Sequence, residues 1–358
     1  MIIKNIFRII EKFIYRFFYT IWISFSMKKL KNRYKTIFIW VNITGYKDLW
    51  YYLIDADAFP KDIMTYFLLS GKGFKVKVVL GKNIVKIKNS HIYYNFTYLT
   101  DYIGFGDNHG VFFYILKKLK NQSNYLIPSY KTALLWENKS YMYQALIKKR
   151  IKIPKTNILD FGDPLTNDIS FPFLIKEEHD RGSLGVHKIN NLNEFDELIG
   201  KDNFKNKNNK IIIQELVRMR KDLRVVCVGN EIVLSFWRIN PRKKWYPTST
   251  KYGSYVDFNN FPEKWKKYIL DIHLKLAITT GGYDLVWVDD NLDNPPLVLE
   301  VSPSYQPNPP IDVKKLNSSY GKYKTEFRIK NSYHKNFINI LYTIQKKYID
   351  RLIIDYRL

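Results

Sequence analysis

The stretch GGYDLVWVDDNLDNPPLVLEVSPSYQPNPP, residues 281–310, decides how the C-terminal half of this chain folds. Two β-rich runs, Tyr283 to Val288 and Leu297 to Val301, flank the turn-like segment DDNLDNPP, which is the pattern of an antiparallel hairpin. Each strand carries one acid, Asp284 and Glu300. A hard cation such as Mg²⁺ takes one or two protein carboxylates and fills its other positions with water and phosphate oxygens, so a sparse pair suits a nucleotide site. Two solvated strand-end acids are an equally open reading of the hairpin alone. The segments upstream decide between them.

Working back along the chain, FPFLIKEEHDRGSLGVHKI (171–189) places Lys176 at the end of a strand, then a loop with Gly182, Ser183 and Gly185, then a returning strand. Glycines let a backbone approach closely and aim its amides at phosphate oxygens, and a strand-borne lysine neutralises the same group. Hairpin tips without any ligand also carry such glycines, so the loop alone is a weak signal. The segment IIIQELVRMRKDLRVVCVG (211–229) reads as a strand, a kink after Glu215, and a second strand entered by Asp222 and Arg224. A strand ending beside a cofactor offers its own N–H and C=O to adenine, and an acid that follows suits ribose hydroxyls. The strand Leu223 to Val228 and the next, Glu231 to Arg238, meet at a Gly-Asn turn, which brings Arg224 and Arg238 to one rim of a hairpin. Guanidinium forks match phosphate and carboxylate geometry.

The remaining elements surround this centre. A helix is expected over Tyr130 to Arg150, another over Asn191 to Ile199, a low-complexity polar loop over 201–210, a long loop over Trp245 to Phe258 and a helix over Glu263 to Thr280. Towards the N-terminus, strands Thr36 to Val41, Phe74 to Leu80, Ile92 to Leu99 and Asn124 to Ile127 alternate with helical stretches Asp48 to Leu69, interrupted at Pro60, and Val111 to Lys120. That alternation predicts a βαβ domain over 36–129, without the GxGxxG of a dinucleotide site. The fold class is therefore α/β, with antiparallel sheets in the second half. No fixed-period repeat is present.

Residues 2–25 form an amphipathic basic pattern, with Ile3, Ile6, Phe7, Ile10, Phe13, Ile14, Phe17, Phe18, Ile21 and Phe25 on one side and Lys4, Arg8, Lys12 and Arg16 on the other. The longest charge-free run, Phe17 to Met27, has 11 residues, against the roughly 20 that cross a bilayer. Three uses stay open: a helix lying on an anionic membrane surface, a helix packed on the body or on a second copy in a homodimer, or an extension ahead of a start at Met27. A second basic helix is expected over Ser332 to Leu358.

Of the net charge of +25, nine Lys/Arg against one acid fall in residues 1–35 and eleven against three in residues 313–358. Such basic ends imply an anionic partner. Nucleic acid is the less favoured one, because the aromatics lie inside apolar runs where they pack in cores. Six histidines without paired spacing and a single cysteine, Cys227, argue against zinc, disulfides and a thiol nucleophile, and point to the cytoplasm or the inner face of its membrane.

Taken in order, these pieces resemble the ATP-grasp superfamily, most closely its RimK-like carboxylate-amine ligases, over roughly Lys131 to Pro310. The resemblance implies an α+β grasp at 130–312, divided into a glycine-loop subdomain (130–210) and a hinge and metal-binding subdomain (211–312). A pre-grasp βαβ domain precedes it, with the basic segments 1–35 and 313–358 at either end. It implies that Lys139, in ENKSYMYQALIKKR, and Lys176 reach the ATP phosphates, and that Arg181, Gly182, Ser183 and Gly185 belong to the loop closing over them. Gln214, Glu215, Leu216 and Val217 become the adenine hinge, and Asp222 the ribose acid. Arg224 and Arg238 flank the reacting carboxylate. Asp284, Glu300 and Ser302 become the metal positions for Mg²⁺, two ions, with Mn²⁺ as the alternative. Thr248 to Ser254 resembles the loop that covers the acceptor.

One departure stands out: where the family has Glu-x-Asn, this chain has Glu300-Val301-Ser302, so the second metal position falls to water, Gln306 or Asn308. The activity implied is ATP-dependent joining of a carboxylate and an amine through an acyl phosphate, with attachment of an amine to a surface polysaccharide as one setting. A soluble amino-acid or peptide ligase is the alternative, and a non-catalytic binding protein on the same fold is the reading outside enzymes.

Overall fold

The structure, a computed structural model, describes residues 14–23, 35–43, 45, 46, 49, 52, 53, 58–95, 109–165, 168–179, 185–240, 245, 247, 248, 254–302, 305 and 331–358. The chain divides into two units: one holds the described residues up to Ala133 and the C-terminal helix, the other the described residues Leu134–Tyr305.

The first unit is built on strands β1 (Thr36–Val41), β2 (Lys75–Leu80), β3 (His91–Tyr94) and β4 (Tyr125–Ile127) in the order β2-β1-β3-β4. All three pairings are parallel. Parallel neighbours need crossover connections, supplied here by α1 (Ala58–Gly71) and α2 (His109–Asn121). The β-branched and aromatic run of β1 suits its central place, with Ile37, Ile39 and Trp40 fully buried and the Trp40 ring stacked on Phe112 at 5.0 Å. Within the helical stretch expected from Asp48, the described residues 49, 52 and 53 are helical and α1 runs from Ala58 to Gly71. Pro60 lies in its first turn, where a missing N–H costs nothing, and so does not interrupt it. Strand β3 stops at Tyr94, short of the expected Leu99.

Chain order places α3 (Tyr130–Glu137) and α4 (Lys139–Lys148) next. Sequence periodicity suggested one helix from Tyr130 to Arg150. Asn138 instead takes an extended conformation, φ −120° and ψ 107°, and its side chain accepts from the Tyr141 N–H at 2.8 Å. An N-cap asparagine competes with the helical ladder, which is why the run breaks there and restarts at Lys139.

A four-stranded sheet follows, of β5 (Thr156–Leu159), β6 (Phe173–Lys176), β7 (Val186–Ile189) and, after α5 (Leu192–Gly200) and α6 (Asp202–Lys207), β8 (Ile211–Glu215), in the order β5-β8-β6-β7. Its pairs are antiparallel. Phe173, Ile175, Ile211 and Ile213 bury one face with Phe195 of α5 and Phe204 of α6. Phe204 is the reason that 202–207 is helical where composition suggested a loop: one buried aromatic anchors a polar turn. The other face presents Lys176, Ile212 and Gln214.

The second sheet of this unit has β9 (Lys221–Val228), β10 (Glu231–Ile239), β11 (Tyr255–Asp257), β12 (Thr280–Val286) and β13 (Leu297–Ser302), in the order β11-β10-β9-β12-β13. The expected hairpin at 281–301 is β12 and β13, and β11 forms within the expected long loop. Leu223, Val225, Cys227, Tyr283 and Leu285 face a core shared with α4 and with α7 (Lys266–Leu276). Burial pushes the Cys227 thiol up to about 12.

Helix α8 (Asn331–Asp355) belongs to the first unit, where Gln345 Nε2 donates to Thr65 Oγ1 at 2.8 Å and to the Tyr93 hydroxyl at 3.1 Å. Among the described residues no helix is long and apolar enough to cross a membrane.

Candidate functional site

Strand alternation puts Asp222 and Arg224 of β9 on the face away from the core, and cross-strand register adds the rest. Arg238 lies opposite Asp222, Asp284 opposite Arg224, and Glu300 opposite Asp284. One row therefore runs Arg224, Asp284, Glu300 across three strands, and Ser302 follows two residues beyond Glu300 on the same face. Gly282, opposite Ser302, keeps this face open: a Cβ there would stand 3.1 Å from Arg224 Nη1 and 3.4 Å from the Ser302 carbonyl oxygen.

The charges form a linked set. Arg224 Nη2 donates to Asp284 Oδ2 at 3.1 Å, and Arg224 Nε lies 2.5 Å from Oδ1 as an ion-pair contact. Arg238 Nη2 reaches the same Oδ2 at 2.8 Å while Arg238 Nε donates to Asp222 Oδ1 at 2.9 Å. Burial acts to raise the Asp284 carboxyl, but the two guanidinium charges outweigh it and hold the group below its ordinary range. For Asp222 burial wins, and its carboxyl lies above its ordinary value despite Arg238. Sequence reading placed Asp284 toward metal and Asp222 toward ribose; the structure puts both against arginines.

Lys176 approaches from the four-stranded sheet. It is buried, its Nζ donates to the Tyr143 hydroxyl at 2.7 Å, and burial pulls its ammonium down to about 8 against the opposing pull of Glu300 and Asp284. Lys139 sits at the first turn of α4, where its Nζ donates to the Glu177 carbonyl at 3.0 Å and its N–H to the Glu178 carbonyl at 3.1 Å. The base of the glycine loop is closed by Glu177 N–H to the Gly185 carbonyl, 2.8 Å. Gly185 is buried; Arg181, Gly182 and Ser183 lie outside the described residues, as do Gln306, Asn308 and most of 248–254. Gln214 is fully buried and donates to Thr156 Oγ1 at 2.9 Å, Glu215 accepts from the Lys155 N–H at 2.8 Å, and Leu216 and Val217 continue beyond the end of β8.

Two residues went unnoticed in the sequence. Glu178, next to the glycine loop, accepts from Ser140 Oγ and from the Asn209 N–H at 2.6 Å, bracing α4 against the entry to β8. Tyr143 donates to the Leu299 carbonyl at 2.8 Å. Sequence periodicity marks it only as an apolar position of α4.

Whether these residues suit a metal follows from the donor set. Among the described residues no group of three or more His, Cys, Asp or Glu is placed to hold a metal ion. Glu300 is half-buried and makes no hydrogen bond or ion pair with the described residues, and Asp284 keeps its place only beside two arginines. That set fits a Mg²⁺ ion arriving with phosphate oxygens, which needs only one or two carboxylates, and not one held by the protein alone.

The family match falls within the second unit. Residues 139–301 match the family described as D-Ala D-Ala ligase C-terminus. An alpha-aminoadipate–LysW ligase from Sulfurisphaera tokodaii is 27% identical over 173 residues, 46% of this chain and 58% of the relative. A D-alanine–D-alanine ligase from Petrotoga mobilis is 27% identical over 169 residues, 45% and 55%. The chain thus spans little more than half the length of the curated relatives it matches. Among solved structures, a D-cycloserine synthetase superposes with a TM-score of 0.51 at 13% identity, covering 87% of this chain and 99% of that one, a likeness of fold. A RimK domain ATP-grasp protein from Sphaerobacter thermophilus gives a TM-score of 0.47 at 11% identity, covering 74% and 90%.

Proposed function

We propose that the chain is an ATP-grasp enzyme, an ATP-dependent carboxylate-amine ligase acting through an acyl phosphate. The observation that carries this is the convergence on one sheet face of Arg224, Arg238, Asp284 and Glu300, with the buried Lys176 within their field. In the reaction, a substrate carboxylate oxygen attacks the γ-phosphorus of ATP and ADP leaves; an amine nitrogen then attacks the acyl carbon, and phosphate departs as the amide forms. Lys139 and Lys176 hold the phosphates in line, and Arg224 and Arg238 hold the developing oxyanions, an electrostatic contribution that is large in a water-poor site. Glu300, with Asp284 once the arginines turn to substrate, would hold Mg²⁺, which supplies neutralisation of the phosphate charge. Ser302, in the place where the family has Asn, leaves the second metal position to water or to residues beyond β13.

The test is ADP release over a panel of acids and amines with Mg²⁺, beside Glu300→Gln. Acid- and amine-dependent ADP formation that the variant loses supports the ligase; full activity in Glu300→Gln removes Glu300 from the metal site. Oligonucleotide binding without turnover would favour the non-catalytic reading.

The setting we propose is an anionic membrane surface, where attachment of an amine to a surface polysaccharide takes place. The helical segment 14–23 supports it. Its inner side is packed: Phe17 stacks on Phe59 at 5.5 Å and the Arg16 guanidinium lies 5.8 Å from the Phe337 ring centre. Ile14, Phe18 and Trp22, spaced by four, are left 46%, 64% and 67% exposed. An outward apolar stripe ending in Trp, in a strongly basic end of the chain, suits the interface of an anionic bilayer. Replacing Phe18 and Trp22 with Glu should cut partitioning onto anionic liposomes by about tenfold or more. Unchanged partitioning would return the protein to the soluble alternative, and concentration-dependent dimerisation lost in the same variant would assign the stripe to a homodimer.

A further inference from the structure

Tyr143 is fully buried on α4, between the lysine of one sheet and the metal strand of the other. Its hydroxyl accepts from Lys176 Nζ at 2.7 Å and donates to the Leu299 carbonyl at 2.8 Å, with the Gln214 side chain also beside it. The chemistry of the first two fixes the direction of both bonds. An ammonium only donates and a carbonyl only accepts, so the single phenolic proton goes to Leu299 and the oxygen lone pairs go to Lys176. Burial raises the phenol well above its ordinary value, which keeps that proton in place. The ring adds to the effect, with Lys176 Nζ 5.3 Å from its centre.

Leu299 is available for a reason of register. Asp284 pairs with Glu300 and Leu285 with Val298, so Leu299 is the extra residue of a β-bulge. The bulge turns Glu300 onto the charged face and at the same time frees the Leu299 carbonyl from the β12–β13 ladder. A buried tyrosine present only for packing would need one partner for its hydroxyl, and phenylalanine would fill the same space. This one joins a charged lysine to the residue next to Glu300.

We infer that Tyr143 is a positioning residue: it holds Lys176 in the place from which that lysine meets the nucleotide phosphates, and fixes it relative to the strand of Glu300. The inference rests on the ligase reading above. It names no contact between Tyr143 and nucleotide, and its effect passes through Lys176.

The experiment measures binding of ATP and of adenosine, both with Mg²⁺, to the full chain as wild type, Tyr143→Phe, Lys176→Met and the double variant, with an unfolding midpoint for each. The expected result is ATP binding about tenfold weaker in Tyr143→Phe, the size of one lost hydrogen bond to a charged group. Adenosine binding stays unchanged, and Tyr143→Phe adds no further loss once Lys176 is Met. Three results would overturn the inference: unaltered ATP affinity in Tyr143→Phe, equal losses for ATP and adenosine, or losses that add in the double variant. Should Tyr143→Phe unfold, Tyr143→Trp and Tyr143→His read the same ratio of ATP to adenosine. Wild type that binds neither ligand removes the nucleotide reading itself, an outcome distinct from the other three.

Discussion

Glu178 and Asp284 are both buried carboxylates of the second unit, 1% and 6% exposed, yet their partners differ in kind. Glu178 is held by neutral donors built into the fold: the Ser140 hydroxyl, the Asn209 N–H at 2.6 Å and the Lys210 N–H at 3.3 Å. None of these donors is free to leave without the fold changing. Asp284 is held by two guanidiniums, each carried on a long side chain rather than on the backbone. A carboxylate satisfied largely by backbone suits a brace, and one satisfied by side-chain charge suits the site proposed above. The two lie on the same unit, so the contrast is one of partners and not of burial.

The sharpest way to break this distinction is to neutralise each acid in turn. Asp284→Asn should lower ADP formation by about a thousandfold, since it disorders both arginines as well as the metal position, in the range of losing a preorganised charge contact. Glu178→Ala should instead cost about 2 kcal/mol of stability in urea unfolding, from removing the buried acceptor of two part-buried N–H groups. Nucleotide affinity of the folded protein should change little. If Glu178→Ala abolishes nucleotide binding while leaving the unfolding midpoint in place, the brace is a site after all.

A smaller effect concerns the lysine between them. Lys176 has a folded value of about 8 against an ordinary 10.5. Below pH 8 it is charged in both states and its burial opposes folding; between these values folding releases a proton and stability rises with pH; above 10.5 the penalty is gone. Lys176→Met should therefore stabilise the protein at pH 7 by about 2 kcal/mol while weakening ATP binding, and the gain should fade as pH rises toward 10.5. A destabilised Lys176→Met at pH 7 would mean that the Tyr143 contact outweighs the cost of burying the charge.

How much of this was readable in advance depends on where each signal lives. The hairpin of Asp284 and Glu300 was legible because alternation, turn residues and a β-rich run coincide within one short stretch. The break at Asn138 was legible in principle: Asn before Lys-Ser is an N-cap signal, but it competes with a long helical period. The pairing of Asp222 with Arg238 was not, because it depends on which residues face each other across β9 and β10, and a register is set by the fold as a whole. Glu178 was hidden for a related reason. An acid beside a glycine loop reads as solvated until the chain returns at Asn209 to donate to it. Strand β5, TNIL, was missed because four residues carry too short a period.

Cys227 offers a clock. Its thiol lies in the middle of the five-stranded sheet, on the core side, and burial holds its proton to about pH 12. A thiol reagent therefore has no thiolate to attack at neutral pH until β9 parts from its neighbours, and every labelled molecule records one such opening. Because this is the chain's single cysteine, the record needs no engineered probe. A ligand that clamps the charged face of the same strand should slow the clock by the factor 1 + [L]/Kd, so occupancy of the site is readable on the opposite side of the sheet before any acceptor is known.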